Sequence, residues 1–149
     1  MIGIDAVDIE RLRALLERRP DAEARLFTDS ERSYCHGHAD PALRFAGTLA
    51  AKEAVIKAAS LGPLVSWCRR IEIDRGPNGA PMVKVAGIGD REMNVSISHD
   101  GGLAVAVAVA RAPAVAAAGQ PHFRNRATEV PGLTPNVQLL RYLATGLAP

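Results

Sequence analysis

Asp5, Glu53, Lys57 and His99 are the side chains whose types and neighbours could do chemistry. Glu53 and Lys57 close the run Lys52-Glu-Ala-Val-Ile-Lys57, so on a helix they stand one turn apart, with Leu49 and Ile56 on their side of the cylinder. A carboxylate and an ammonium group beside apolar neighbours are partly buried wherever that face is packed. The plain alternative is an (i, i+4) ion pair on a solvated face, worth only about 0.3–0.5 kcal/mol. Asp5 lies in Gly3-Ile-Asp-Ala-Val-Asp8, and His99 ends Ser96-Ile-Ser-His99. A serine hydrolase is excluded, because neighbours on a strand do not give triad geometry and no nucleophile elbow is present. Each piece is weak alone.

The elements that must position them are legible. Asp40 is a natural N-cap and Pro41 suits the first helical position, where a missing N–H is no loss. Ala, Leu, Lys and Glu then dominate as far as Gly62, which can take a left-handed C′ conformation. This predicts a long helix over 41–61. Upstream, Met1-Ile-Gly-Ile reads as a buried strand ending near Asp5. Asp8 caps a helix with Ile9, Leu12, Leu15 and Leu16 at helical spacing, stopped by Pro20. A second short helix is expected over 21–26. Thr28-Asp-Ser-Glu31 is a capping box that starts another over about 29–36.

After Gly62 the texture becomes that of strands. Arg70-Ile-Glu-Ile-Asp-Arg75 and Met82-Val-Lys-Val-Ala86 alternate around the turn Gly76-Pro-Asn-Gly79, which predicts a hairpin. Asn94–His99 and Leu103–Ala110 flank Asp100-Gly-Gly102 and predict a second, whose last strand alternates large and small residues. Residues 1–111 therefore read as one domain, and 112–149 as a Pro/Ala-rich extension ending in a short helix near 136–144.

Composition bounds the function. With 149 residues the chain holds one domain with a modest core, and 48% hydrophobic with 23% charged residues is a soluble, globular make-up. A net charge of +2 gives no case for nucleic acid. Leu103–Ala110 is too short to span a bilayer. Cys35 and Cys68 have no ligand spacing and read as free thiols of a cytoplasmic protein.

Together and in this order, Gly3-Ile-Asp5-Ala-Val-Asp8, Lys52-Glu53-Ala-Val-Ile-Lys57 and Ser96-Ile-Ser-His99, with Arg25-Leu-Phe-Thr-Asp-Ser-Glu31, resemble the 4′-phosphopantetheinyl transferase superfamily. The branch is the small holo-(acyl carrier protein) synthases, in which Val7 replaces the acid that larger members carry two residues after the aspartate. The resemblance covers roughly residues 2–110. It implies an α+β fold, with a long central helix on a small, mostly antiparallel sheet. It also implies transfer of the 4′-phosphopantetheine arm of coenzyme A to a carrier-protein serine, with release of adenosine 3′,5′-bisphosphate. Such a reaction needs a divalent cation against the pyrophosphate, and Mg²⁺ prefers carboxylate and phosphate oxygens.

By the same resemblance Asp5 and Glu53 are the metal ligands and Lys57 lies at the pyrophosphate, where charge stabilisation is its expected work. The base stays open between Lys57, Glu53 through water and the metal site. His99 is expected at the nucleotide part of coenzyme A, and Asn78-Gly79 near the adenine. Arg11, Arg18 and Arg25 align with positions that dock an acidic carrier helix. Thr48 stands where the family usually has an arginine, leaving Arg44 as the alternative phosphate contact, and Ala80 replaces a common lysine. These departures, with the altered segment Ser60–Val65 and the long extension, suggest a carrier of a secondary pathway. Small-branch enzymes are homotrimers with sites between subunits, so a trimer is expected. Two other classes stay in view: a degenerate carrier- and coenzyme A-binding module, and a purely structural oligomeric subunit.

Overall fold

The computed structural model describes residues 1–88 and 92–111; the extension and its terminal helix lie outside the described residues. The chain forms β1 (Ile2–Asp8), α1 (Ile9–Arg18), α2 (Asp21–Leu26), α3 (Asp29–His36), α4 (Pro41–Ala59) and a short α5 (Leu64–Trp67). Then follow β2 (Ile71–Arg75), β3 (Pro81–Val85), β4 (Met93–Asp100) and β5 (Leu103–Ala110). The expected sheet resolves into two, β1-β5-β4 and β2-β3, both antiparallel. Only α5 was without a sequence signal.

The caps are those the residue types dictate. Asp8 accepts from Arg11 N at 2.9 Å and Asp40 from Leu43 N at 3.2 Å, while Thr28 and Glu31 make a reciprocal capping box. Arg13 ties the start of α4 back to α1, with Nη2 3.0 Å from Asp40 Oδ2. Between β4 and β5 only Gly101 and Gly102 turn the chain, at φ +56° and +82°, a two-residue turn that needs left-handed residues at both places.

The structure shortens the long helix. It ends at Ala59, and Ser60, not Gly62, takes the left-handed position at φ +53°. Leu61 N reaches Ile56 O at 3.0 Å, closing a Schellman-type end before the glycine is reached.

Helix α4 is buried on nearly every side, from Ala42 through Ala59, with only Leu43, Arg44, Ile56 and Lys57 partly or fully exposed. A helix this apolar all round belongs in the middle of a fold. It packs on β1, β4 and β5 on one side and on α1, α3, α5 and β2 around the rest. Alanines let it lie close: Ala104, Ala106, Ala108 and Ala110 form the inner face of β5, opposite Ala50, Ala54 and Ala58 of the helix. Gly3 is the tightest point. A Cβ there would overlap the Ala54 carbonyl oxygen and lie 2.6 Å from Ala58 N. With few aromatics available, the core adds only Phe27 and Phe45, whose ring centroids are 4.7 Å apart.

On the outer face of the three-stranded sheet β1 and β5 leave an apolar patch open, while β4 carries Asn94, Ser96, Ser98 and Asp100 there. Ile2, Ile4, Leu103, Val107 and Val109 lie on it, with Ile2 69% exposed.

Two substitutions test this account. Ser60→Gly relieves left-handed strain of about 1–2 kcal/mol at an entropic cost of about 0.4–1, and should raise stability by about 0.5–1 kcal/mol in denaturant melts. Gly3→Ala should cost on the order of 3 kcal/mol and separate β1 from α4, because backbone, not a flexible side chain, blocks the new methyl.

Candidate active site

The close approach at Gly3 sets the site. Two residues on, Asp5 points inward from the middle of β1, in register with Ala106, rather than from a strand end as the pattern predicts. It meets the exposed end of α4. Lys57 Nζ stands 2.5 Å from Asp5 Oδ1 and donates to Ile4 O at 2.9 Å. The plain helix-surface pair is not formed: among the described residues Lys57 ion-pairs with Asp5 and not with Glu53. Its side chain keeps 37% exposure, so it can turn to a ligand without leaving a buried hole.

Asp5 and Glu53 are buried, at 8% and 4% exposure, and each keeps an oxygen without a partner, Asp5 Oδ2 and Glu53 Oε1. Burial, then the Asp5 carboxylate, push the Glu53 carboxyl up to about 7, against the pull of Lys57. Burial also raises Asp5, opposed by its bonds to Lys57. Two carboxyls forced together out of water, each with an unused oxygen, form a place where a proton or a cation is wanted. Mg²⁺ commonly takes one or two protein carboxylates and completes its shell with water and phosphate oxygens, so this pair fits it.

A second group gathers nearer the start of α4. Arg44, Gly47 and His99 line a cavity of about 200 Å³ together with Tyr34, Arg75, Gly79, Pro81 and Ile97. Of the expected nucleotide residues, Arg44, His99 and Gly79 are therefore brought together. Asn78 is not in the lining; its Oδ1 accepts from Ala80 N at 3.2 Å and shapes the turn. Gly47 makes room for the imidazole, since a Cβ there would sit 2.7 Å from His99 Nε2. That nitrogen is buried without a partner. Burial and then the nearby Arg44 hold His99 below the usual histidine range, with Arg75 adding to the effect. Thr48 is buried at 1% exposure and brings no charge here.

Arg11, Arg18 and Arg25 are exposed, as docking residues must be. Arg18 donates from Nε to Ala14 O and Arg25 pairs with Asp21 at 3.3 Å, so no contact joins the three to one another.

Sequence reasoning missed Arg75 and Tyr34, which reach the cavity from β2 and α3 and have no local signal. It also missed Lys52. That ammonium is wholly buried, 2.6 Å from Glu31 Oε2, and donates to Leu26 O at 2.9 Å and to Cys68 O.

Comparison with known proteins identifies the family. The family model of the 4′-phosphopantetheinyl transferase superfamily matches residues 1–108. The holo-[acyl-carrier-protein] synthase of Frankia casuarinae is 38% identical over 117 residues, covering 73% of this chain and 94% of its own. That of Micrococcus luteus is 39% identical over 119 residues, covering 73% and 89%. Among solved structures, the Helicobacter pylori holo-[acyl-carrier-protein] synthase in complex with coenzyme A superposes with a TM-score of 0.65 at 31% identity, over 74% of this chain and all of that one. The chain belongs to the 4′-phosphopantetheinyl transferase superfamily and is an enzyme of its holo-(acyl carrier protein) synthase branch.

Proposed function

We propose that the chain moves the 4′-phosphopantetheine arm of coenzyme A onto a serine of an acyl or peptidyl carrier protein. The serine Oγ attacks the phosphorus that bears the arm, the bond to the bridging oxygen breaks, and adenosine 3′,5′-bisphosphate leaves with that oxygen. The observation that carries this reading is the convergence of Asp5, Glu53 and Lys57, two buried carboxyls with unused oxygens beside a half-exposed ammonium.

Asp5 and Glu53 would hold Mg²⁺, which supplies charge neutralisation at the pyrophosphate. Lys57, released from Asp5, turns toward the phosphates and stabilises charge that grows on the leaving oxygen. Buried Glu53 is held at a fixed place by α4, so its carboxylate needs no reorganisation to meet a cation. The Arg44, His99 and Gly79 cavity takes the nucleotide end, with Asn78 shaping its rim. The exposed Arg11, Arg18 and Arg25 present positive charge to an acidic carrier helix, which speeds encounter and makes it salt-sensitive. The open apolar face of β1 and β5 supports self-association, because a surface of this kind in water calls for another copy to cover it, and the homotrimer is the form the family resemblance implies. No helix among the described residues is long and apolar enough to cross a membrane.

Intact mass of a panel of apo carrier proteins, incubated with the chain, coenzyme A and Mg²⁺, is the direct test. A gain of one phosphopantetheine is expected, abolished by chelation and cut at least about 100-fold by Glu53→Gln, the scale of losing a charge-stabilising group. Binding of coenzyme A without any gain would favour the degenerate module instead. The departures at Thr48 and Ala80 support a secondary-pathway carrier, and clear preference for a fatty-acid carrier would remove that part.

The metal pair makes a separate prediction. Glu53 holds its proton more tightly folded than unfolded, so without metal, stability should fall as pH rises from about 4.5 to about 7. Mg²⁺ competes with that proton. Its stabilising effect in thermal melts should therefore be larger at pH 8 than at pH 6, and Glu53→Gln should flatten the difference. An equal Mg²⁺ shift at both pH values would remove Glu53 from the metal site.

A further inference from the structure

Helix α1 carries opposite charges on its two flanks. Successive helical residues turn by about 100°, so Arg11 and Arg18, seven apart, share one flank of the buried stripe of Ile9, Leu12, Leu15 and Leu16. Glu10, Arg13 and Glu17, spaced three and four apart, share the other. Arg11, Arg18, Glu10 and Glu17 are all exposed. An acidic partner is drawn to the first flank and repelled by the second. Rolling the helix about its axis therefore exchanges attraction for repulsion.

The apolar stripe selects the buried face but defines the angle loosely, because apolar burial has no direction of its own. Arg13 supplies direction. Its Nη1 donates to Asp40 Oδ1 at 3.2 Å and its Nη2 to Asp40 Oδ2 at 3.0 Å, while Nε donates to Glu10 Oε2 at 3.2 Å. Exposed ion pairs usually contribute little, and the exceptions are two-pronged arginine pairs within a network of charges, as here. The far end is fixed as well, since Asp40 caps α4 and its Oδ1 accepts from Leu43 N at 3.2 Å. Arg13, and then the Leu43 amide, hold the Asp40 carboxyl below the usual carboxylate range. The angle of α1 is thus referred directly to α4, the helix that carries Glu53 and Lys57.

We propose that Arg13 is a positioning residue: through Asp40 it fixes the roll of α1, so that Arg11 and Arg18, and not Glu10 and Glu17, meet an acidic carrier helix. This rests on the carrier docking read under Proposed function. Arg13 acts through α1 and needs no contact with the carrier or with coenzyme A.

The test pairs steady-state modification of the panel's best carrier with fluorescence anisotropy of labelled apo carriers, which reads binding without turnover. Arg13→Met should raise the carrier KM and Kd about fivefold, the net worth of one hydrogen bond, with kcat and the coenzyme A KM unchanged. Asp40→Ser still caps α4 but is too short to reach Arg13, and should do the same. The double variant should bind no more weakly than either single one. Arg13→Lys keeps the charge but loses the fork, and should fall between Arg13→Met and the unaltered chain. Far-ultraviolet dichroism shows that each variant is folded.

A plain field effect predicts opposite signs: losing the Arg13 charge weakens an acidic carrier, and losing the Asp40 charge strengthens it. Opposite signs, additive losses in the double variant, or an unchanged carrier KM and Kd in both single variants would each overturn the positioning role. Carriers that bind but are not modified, and bind about fivefold more weakly to both variants, would uphold it and overturn the transfer reaction. Carrier modification with opposite signs would do the reverse. No binding to any carrier would overturn both.

Discussion

One buried ion pair holds the parts together. Lys52 lies in the middle of α4 with no exposure, and its ammonium meets Glu31, Leu26 O and Cys68 O. Glu31 is spent on the same junction: one oxygen accepts from Thr28 N and the other from Ile73 N, both at 2.8 Å. So the end of α2, the start of α3, the end of α5 and the strand β2 all converge on one charge. Desolvation pulls the Lys52 pKa down, and Glu31 is the chief force opposing it. A buried pair of this kind adds little net stability, yet losing one partner strands the other at a cost of about 3–5 kcal/mol. Its value lies in definition. It fixes where β2 begins relative to α4, and Arg75 ends that strand.

The next residue along the helix, Glu53, faces the other way. Neighbours on a helix point about 100° apart, so one dipeptide serves a structural junction with Lys52 and the proposed metal site with Glu53. The two charges carry opposite obligations. Lys52 is fully satisfied within the protein, whereas Glu53 keeps an oxygen unused and its proton until about pH 7. Three of the five buried side-chain atoms without a hydrogen-bond partner among the described residues lie at Asp5, Glu53 and His99, where a ligand can relieve them, and stability is supplied by the alanine-lined contact around them.

The sequence carried much of this and stopped at definite points. Asp40-Pro41, Asp8 and Thr28-Asp-Ser-Glu31 are local signals, and the helices start where these residues predict. Alternation gave both hairpins. The helix end was misplaced because Ser60 is ordinarily a poor left-handed residue, and only the bond from Leu61 to Ile56 shows why it serves. Lys52 was unreadable because a lysine between alanine and glutamate looks solvated until the far carboxylate of Glu31 is found. Lys57 finds its partner in Asp5, a strand residue with no sequential relation to it, rather than in Glu53 one turn away. Arg75 and Tyr34 converge on the cavity only through the placement of β2 and α3, and spacing cannot report that.

The order of strands has a consequence in time. β1 is an edge, held in its sheet by β5 alone, with Ile2 opposite Val109 and Asp8 opposite Leu103. Asp5 therefore leaves a ribosome well before β5 does, and its strand acquires a partner only once β5 has followed. Until then Gly3 has no sheet to press it onto α4, and the paired carboxyls have no reason to meet. Helices of local contacts can form first, while the Asp5 and Glu53 pair waits on a long loop closure. Assembly of the proposed site is thus a late event of synthesis, and a ribosome that stops short of β5 releases a helical body with β1 unmoored.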